Sequence, residues 1–507
     1  MSRIAYFLIL LSACFSSCTI GSDNPNKDIT LEAFSGFKDN NLFIDGDSIR
    51  AYIAGMMRAD GQSLPSDRYV HKYYGGGKPF MWISYGGVTA SADTLLRYLS
   101  TADESGISPR LFRMEQIAAD LETVRTLDMN GGSRPINRIL ARLEYNLTRS
   151  YLRYISCQHF GFINPNTLYN RLDTLSNDSS GLKWKRLCDL RVKRPDSAFC
   201  ARSLACIDTD TMGAYISGLL PKGRLYGMLV KHLNSAGLTS AERIKTLCNM
   251  ERCRWRLAVM PGDSRKHVQV NIPSYNLRAV DGDSVLSMRV CCGAKKTKTP
   301  LLSSSLMRMD VNPQWIVPKS IAVGYVGRTG YMHSQGMFVY DKKLGKLPPE
   351  EASYTKISQG EQYIVQSGGA KNSLGRIIFR FENNFSVFLH DTSAPWLFQS
   401  AVRAVSHGCV RVERPYDLAV FMLSDKNSSV AEKIKYTMSV DMDGDSGGKP
   451  KPDRKKMVSN VRIDPQIPLF ITYYTMYYGS GGGLVSYEDV YGFDDVTAER
   501  LRPYIRQ

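Results

Sequence analysis

Ser406-His407-Gly408-Cys409-Val410-Arg411-Val412 sets a thiol beside a glycine, with a histidine on one side and an arginine on the other. A further histidine, His390, lies nineteen residues before Cys409, in a chain that holds only seven. A free thiol is only a few per cent ionised at neutral pH, so a cysteine nucleophile needs a base or a positive field nearby. His390 and His407 are the candidate bases, and Arg411 can hold an anionic substrate group. Gly408 lets the backbone approach closely, so the amides of Gly408 and Cys409 are candidate donors to a developing oxyanion.

Strand parity constrains this set. Phe385, Val387 and Leu389 share one face of an expected strand, which turns His390 to the other face at its end. If Val405 to Val412 is also extended, Val410 and Val412 face the core while His407, Cys409 and Arg411 share the opposite face. His407 then lies roughly 7 Å along the strand from Cys409. Parity does not choose between the two histidines. Nor does it choose between a nucleophile, a structural strand cysteine and a zinc site built from His390, His407 and Cys409. The zinc reading lacks a fourth ligand in the same segment.

The elements that must position these residues are mostly β. After Trp255 the apolar period falls to two, with Val268, Val270 and Ile272 alternating with Gln269 and Asn271. Asp281-Gly282-Asp283 predicts a hairpin turn before Val285 to Val290. Ile377, Phe379 and Phe381, the turn Glu382-Asn383-Asn384, and Phe385 to Leu389 predict a second strand pair. Pro415 opens a helix over Tyr416 to Leu423, and Asp441 to Lys456 is a polar surface loop. Residues 42–245 read as largely helical instead. Ile136, Ile139, Leu140, Leu143, Leu147 and Tyr151 form one apolar stripe behind Pro135, and helical spacing returns around Leu95 to Leu99 and from Met212 to Leu233. Gly75-Gly76-Gly77-Lys78-Pro79 lacks the ending of a phosphate loop and is a turn.

A chain of 507 residues exceeds one compact core, so two or three domains are expected. Its 65 basic against 48 acidic residues give +17, which suits a polyanionic partner. No nucleic-acid motif accompanies the basic run Lys183 to Arg194, so no nucleic acid is expected. Arg3 and the apolar run Ile4 to Leu11 fit a signal-peptide core too short to span a bilayer. Leu11-Ser12-Ala13-Cys14 and Phe15-Ser16-Ser17-Cys18 resemble lipoprotein boxes, so Cys14 or Cys18 is the expected lipidation site, with Gly21 to Asn26 as a flexible tether. Eight other cysteines besides Cys409 are open to disulfide pairing or to burial as thiols.

His390, a gap of fifteen residues and Ser406-His407-Gly408-Cys409-Val410-Arg411 closely resemble the signature of the L,D-transpeptidase family. Val270-Asn271-Ile272-Pro273, Thr299-Pro300, Asn312-Pro313 with Trp315, Val317-Pro318 and Asn372 to Gly375 are similar to the large periplasmic type. So are Leu389-His390-Asp391-Thr392, Leu397-Phe398, Arg403, Pro468 to Thr475 and Asp489-Val490-Tyr491-Gly492. The upstream helical part resembles the scaffold domain of that type, with Asn249 to Arg252 and Arg254-Trp255-Arg256 at the junction.

The resemblance implies an α+β multidomain chain, in which a helical scaffold domain precedes a mainly β catalytic domain with a lid insertion. The boundaries expected are 1–18 for the lipoprotein signal, 19–41 for the tether, 42–245 for the scaffold and 262–505 for the catalytic domain, with a lid near 321–360. It implies an acyltransferase that needs no cofactor or metal. Cys409 is the expected nucleophile, attacking the L,D bond of a peptidoglycan tetrapeptide stem. D-Ala leaves, and an amine of an acceptor stem resolves the thioester into a 3→3 cross-link. Water as acceptor gives L,D-carboxypeptidase activity, and a non-catalytic peptidoglycan-binding lipoprotein on the same fold is the rival from another class.

By position, His390 carries over as general base, oriented through the Asp391 backbone. Gly408 carries over to the oxyanion hole, His407 to the pocket, and Ser406 and Arg411 to substrate binding. Lid aromatics Tyr325, Tyr331, Phe338 and Tyr340 become candidate stem contacts. The implied location is periplasmic, anchored by lipid to one of the two membranes, and carbapenem-type inhibitors are expected to acylate Cys409. Two departures stand out. Only Asn234 to Ser240 separates the Leu220 to Leu233 stretch from Ala241-Glu242-Arg243-Ile244, too short for the usual peptidoglycan-binding module. Phe388 stands where tyrosine is common.

Overall fold

The structure is a computed structural model that describes residues 43–505 except 85, 128–135, 179–180, 208, 210, 426–427 and 442–451. Cys14, Cys18, the 19–41 tether, Pro135 and most of the Asp441–Lys456 loop lie outside the described residues. The chain forms two compact units. The first comprises Met1–Phe162, Arg194–Pro221 and Tyr504–Gln507; the second comprises Ile163–Lys193 and Lys222–Pro503.

In the first unit, helix Ile136–Phe160 runs for 25 residues with helices Gly46–Ala59, Pro65–Gly75 and Met114–Thr126 packed about it. The sequence predicts one apolar stripe on this helix. Instead nearly every residue is buried, including Glu144, Arg149 and Arg153. Buried charges must be paired or hydrogen-bonded, and these are. Arg153 grips Asp67 through two bonds of 2.6 and 2.9 Å. Glu144 accepts from the Met81 and Trp82 amides at 2.6 and 2.8 Å and from the Tyr74 hydroxyl at 2.6 Å. Helix Pro65–Gly75 ends in the expected glycine turn, with Gly77 at φ +66°.

The second unit is built on a sheet of ten strands. In chain order these are β1 Cys188–Asp189, β2 Lys266–Asn271, β3 Asn276–Asp281, β4 Ser284–Gly293 and β5 Leu301–Val311, then β6 Ile377–Phe381, β7 Leu389–His390, β8 Ala404–Ser406, β9 Val410–Val412 and β10 Asn460–Thr472. They pair in the order β6-β7-β9-β4-β3-β2-β10-β5-β1, with β8 beside β4, and a further β6–β5 pairing closes the sheet into a barrel. The period-two apolar residues fill it. Val268, Val270, Leu277, Val290, Leu389, Val410 and Val412 are all fully buried in one cluster. Each such side chain stabilises the fold by roughly 1.5–3 kcal/mol. Helix Pro415–Met422, opened by proline as predicted, adds Leu418, Ala419, Phe421 and Met422 to the same core.

Three details depart from the sequence expectations. The stretch Met212 to Leu233 is broken at Pro221 into helices Met212–Leu219 and Arg224–Leu233, because proline cannot continue a helix. The expected 42–245 block divides between the units, since Tyr169, Leu187, Cys188 and Leu190 join the barrel core and β1 pairs in parallel with β5. The second predicted hairpin is only a short pairing of β7 with β6. Ser386 stands at φ +54°, and the Asn383 side chain accepts from the Phe385 and Val387 amides at 2.9 and 3.2 Å, so the preceding residues form a capped loop.

The expected lid span, 321–360, lies within a separate four-stranded sheet of Trp315–Ile316, Gln362–Gln366, Met337–Asp341 and Gly345–Leu347. It has its own core of Val317, Ala322, Met332, Met337, Val339, Ile357 and Ile364. Tyr325 packs on Tyr331 at 5.5 Å, Arg328 lies over Tyr331 at 4.7 Å and Lys346 over Phe338 at 4.4 Å, while Tyr340 is exposed. Cys157, Cys188, Cys200, Cys206, Cys248, Cys253, Cys291 and Cys292 are free thiols, as is Cys409.

Candidate active site

β7 and β9 are parallel neighbours in which Leu389 pairs with Val410 and His390 with Arg411. Leu389 and Val410 point into the barrel core, so His390 and Arg411 share the other face. Cys409 enters that face one step before β9.

The run Val405 to Val412 is not one strand. β8 ends at Ser406 and β9 begins at Val410, and between them Gly408 adopts φ +123°, a region open to glycine and strained for other residues. The parity argument therefore does not carry from Cys409 to His407. His407 sits exposed on the turn with no hydrogen bond among the described residues. The turn itself is closed by Ser406, whose Oγ donates to the Cys409 carbonyl at 2.5 Å and accepts from the Gly408 N–H at 3.1 Å. The Gly408 amide, an expected oxyanion donor, is therefore engaged by Ser406, and Ser406, an expected substrate residue, is buried in the turn. The Cys409 N–H has no acceptor among the described residues.

A second set of residues holds the turn from behind. Thr297 Oγ1 and the Ala294 N–H donate to the Ser406 carbonyl at 2.8 and 2.9 Å. Thr299 Oγ1 donates to the Gly408 carbonyl at 2.8 Å and accepts from the Gly293 N–H at 2.8 Å. Tyr491 accepts from the Thr299 N–H at 3.1 Å and donates to the Gly293 carbonyl at 2.6 Å. A Cβ on Gly293 would overlap the Thr297 carbonyl oxygen, so only glycine fits there. Thr297 went unnoticed in the sequence. Thr299 and Tyr491 stood out only by resemblance, since nothing in their spacing says that they meet.

His390 is 4% exposed, and its Nδ1 lies 2.5 Å from the Asp391 carbonyl oxygen. A carbonyl only accepts, so Nδ1 carries the proton and Nε2 keeps its lone pair in the neutral ring. Burial, and then the Arg411 charge, lower the His390 pKa to about 4. The ring is thus neutral at neutral pH, with Nε2 unprotonated. Asp391 is locked in turn, its carboxylate accepting from the Arg376 and Thr392 amides at 2.7 Å each.

The Cys409 thiol is half-buried, with Sγ 3.9 Å from the Ser386 carbonyl. Burial pushes its pKa up, opposed by the Phe388 amide and the Arg411 charge. No hydrogen bond joins it to His390. At rest the arrangement is a protonated thiol near a neutral imidazole, which can exchange a proton when a reacting group draws them together. The Arg411 charge acts on both groups; it makes no ion pair among the described residues, and its Nε is buried without a hydrogen-bond partner. Such a cation is suited to a carboxylate that is not part of the chain. His390, His407 and Cys409 do not gather as metal ligands; among the described residues no three His, Cys, Asp or Glu side chains do.

Residues 265–431 match the family model of the L,D-transpeptidase catalytic domain, and residues 68–233 match that of the scaffold domain. The chain belongs to the L,D-transpeptidase family. A Haemophilus influenzae protein, provisionally named as an L,D-transpeptidase, is 26% identical over 411 residues, covering 80% of this chain and 74% of that one. Among solved structures, L,D-transpeptidase 3 from Mycobacterium tuberculosis is 13% identical with a TM-score of 0.17. That match covers 29% of this chain and about half, 52%, of the other. Tyr491, which supports the Cys409 turn through Thr299 and Gly293, lies beyond the matched catalytic segment.

Proposed function

We propose that this protein is a peptidoglycan L,D-transpeptidase that forms 3→3 cross-links through a Cys409 thioester. The observation that carries this reading is the unpaired Arg411 guanidinium, set opposite a neutral, buried His390 and one step from Cys409. Arg411 takes a carboxylate of the donor stem. Cys409 Sγ attacks the carbonyl carbon of the third stem residue while His390 Nε2 accepts the thiol proton. That proton passes to the D-Ala nitrogen as the C–N bond breaks, leaving the thioester. The Cys409 N–H is the backbone donor to the oxyanion, because the Gly408 N–H is held by Ser406. An acceptor amine then attacks the thioester carbon, the C–S bond breaks, and the amine's proton returns by His390 to the sulfur. If water attacks instead, the product is that of an L,D-carboxypeptidase.

The reading includes a periplasmic location, a lipid anchor at Cys14 or Cys18, and acylation of Cys409 by carbapenem-type inhibitors. Mass spectrometry of tetrapeptide muropeptides incubated with the purified protein tests it. D-Ala release and 3→3 dimers are expected from the wild type and neither from Cys409→Ala. No turnover by the wild type leaves a non-catalytic peptidoglycan-binding protein; turnover surviving in Cys409→Ala overturns the thiol mechanism.

A further inference from the structure

A polar cavity of about 480 Å³ that the chemistry above does not use is lined by residues that neighbour Cys409, though not by Cys409 itself. Ser386 and Phe388 line one part of it. The Ser386 carbonyl is 3.9 Å from Cys409 Sγ, and the Phe388 carbonyl accepts from the Val410 N–H at 2.9 Å, so this part borders the nucleophile's own backbone. Asp189, Arg191, Ser303 and Glu382 line the rest. Arg191, Ser303 and Glu382 also line an adjoining cavity of about 240 Å³, which makes the space an extended groove.

Two of its charges are uncommitted. The Arg191 backbone is tied down, its N–H donating to Ser303 Oγ at 3.4 Å and its carbonyl accepting from the Ala258 N–H at 2.8 Å. Its guanidinium has no ion pair or hydrogen bond among the described residues, and neither has the Glu382 carboxylate. Asp189 differs, since it accepts from Asn384 Nδ2 at 3.3 Å and faces Arg186 at 3.9 Å. Asp189 and Arg191 fall within the scaffold match, 68–233, and outside the catalytic match, 265–431. The pairing of β1 with β5 brings them to the barrel.

We propose that this groove binds the acceptor stem, and that the scaffold-matched segment 188–191, β1 and the two residues after it, is part of the enzyme's substrate-reading surface. The ligand is an amine-bearing peptide with a free terminal carboxylate. Arg191 pairs with the carboxylate, as a forked guanidinium does best. Glu382 draws the cationic amine-bearing chain into the groove; the ammonium gives one proton to solvent water, and the Ser386–Phe388 end delivers the resulting neutral amine to the thioester carbon. The nitrogen–carbon bond forms, the carbon–sulfur bond breaks, and the amine's proton ends on Cys409. The donor's anionic group has Arg411 on the His390 side, so the two peptides do not compete for one cation. This inference rests on Cys409 forming an acyl-enzyme.

Its test uses a tripeptide stem with a free amine and carboxylate and no D-Ala to release. Calorimetry gives its affinity for the full-length wild type, Arg191→Gln, Glu382→Gln and Arg191→Lys. In parallel, tetrapeptide donor with this acceptor gives the ratio of dimer to hydrolysed donor. Arg191→Gln and Glu382→Gln should each weaken tripeptide binding and lower the dimer ratio about ten-fold, the loss of one charge-assisted contact. Arg191→Lys should recover part of the loss. Unchanged tripeptide affinity, or no dimer from an active wild type, overturns the groove. If the wild type releases no D-Ala, the enzyme reading fails, while tripeptide affinity still decides the groove.

Discussion

His390 stands directly opposite Arg411 across the parallel pairing of β7 and β9, a buried imidazole facing an unpaired guanidinium. Burial, and then the cation, keep the ring from taking a second proton, so Nε2 stays unprotonated at neutral pH. Removing the charge should therefore raise the His390 pKa. Nuclear magnetic resonance titration of Arg411→Gln should show a ring midpoint above the wild-type value of about 4. An unmoved midpoint would assign the whole effect to burial.

The same depressed pKa links folding to pH. Between about 6.5 and about 4 the unfolded ring binds a proton that the folded ring refuses. Its contribution to stability is present above 6.5 and is lost as the pH falls through that window. Urea unfolding at several pH values should show the wild type losing stability on acidification more steeply than His390→Gln. Parallel curves for the two proteins would contradict it.

Gly408→Ala tests the turn. At φ +123° an added Cβ meets Val387 Cγ1 at 3.5 Å, which is ordinary contact, so the penalty comes from the backbone. Holding alanine there costs about 1–3 kcal/mol. The expected outcome is a lower melting temperature and a clear loss of Cys409 acylation, read as covalent adduct by mass spectrometry.

Thr299→Val keeps the shape of the side chain and removes its hydroxyl. The Gly408 carbonyl loses a donor and the Gly293 amide an acceptor. The cost should be about 1–3 kcal/mol in thermal unfolding, with slower acylation as the turn loosens. Full activity in this variant would show that Ser406, with Thr297 and Ala294, suffices to hold the turn.

In the first unit, Glu144→Leu should be the more damaging change. It orphans the Met81 and Trp82 amides and the bond from Tyr74, at a cost of about 3 kcal/mol or more. Calorimetry should show a large fall in stability. Glu144→Gln, which keeps one acceptor oxygen, should lose less.

Much of the candidate site was legible in the chain. The Ser406–Arg411 signature with His390, the β period after Trp255 and the helix after Pro415 follow from residue type and spacing. Hidden residues were those whose roles depend on contacts across the barrel. Thr297 and Thr299 lie more than a hundred positions before the turn they hold. Tyr491 lies 82 after Cys409, joined to the same turn through Thr299 and Gly293. The single stripe read on Ile136–Phe160 was incomplete for a related reason: Glu144 and Arg153 look solvated until their partners Tyr74 and Asp67 are in place.

By itself the sequence determined the family resemblance, the order of helical and β segments, and a candidate thiol with two candidate histidines, because motifs and periodicity are local. Only the tertiary structure decided how each donor is used. It closed the barrel, broke the strand at Gly408, engaged the Gly408 amide with Ser406 and left the Arg411 and Arg191 guanidiniums without partners among the described residues. Hydrogen bonds and charges pair in space rather than along the chain, so such assignments exist only once distant strands meet.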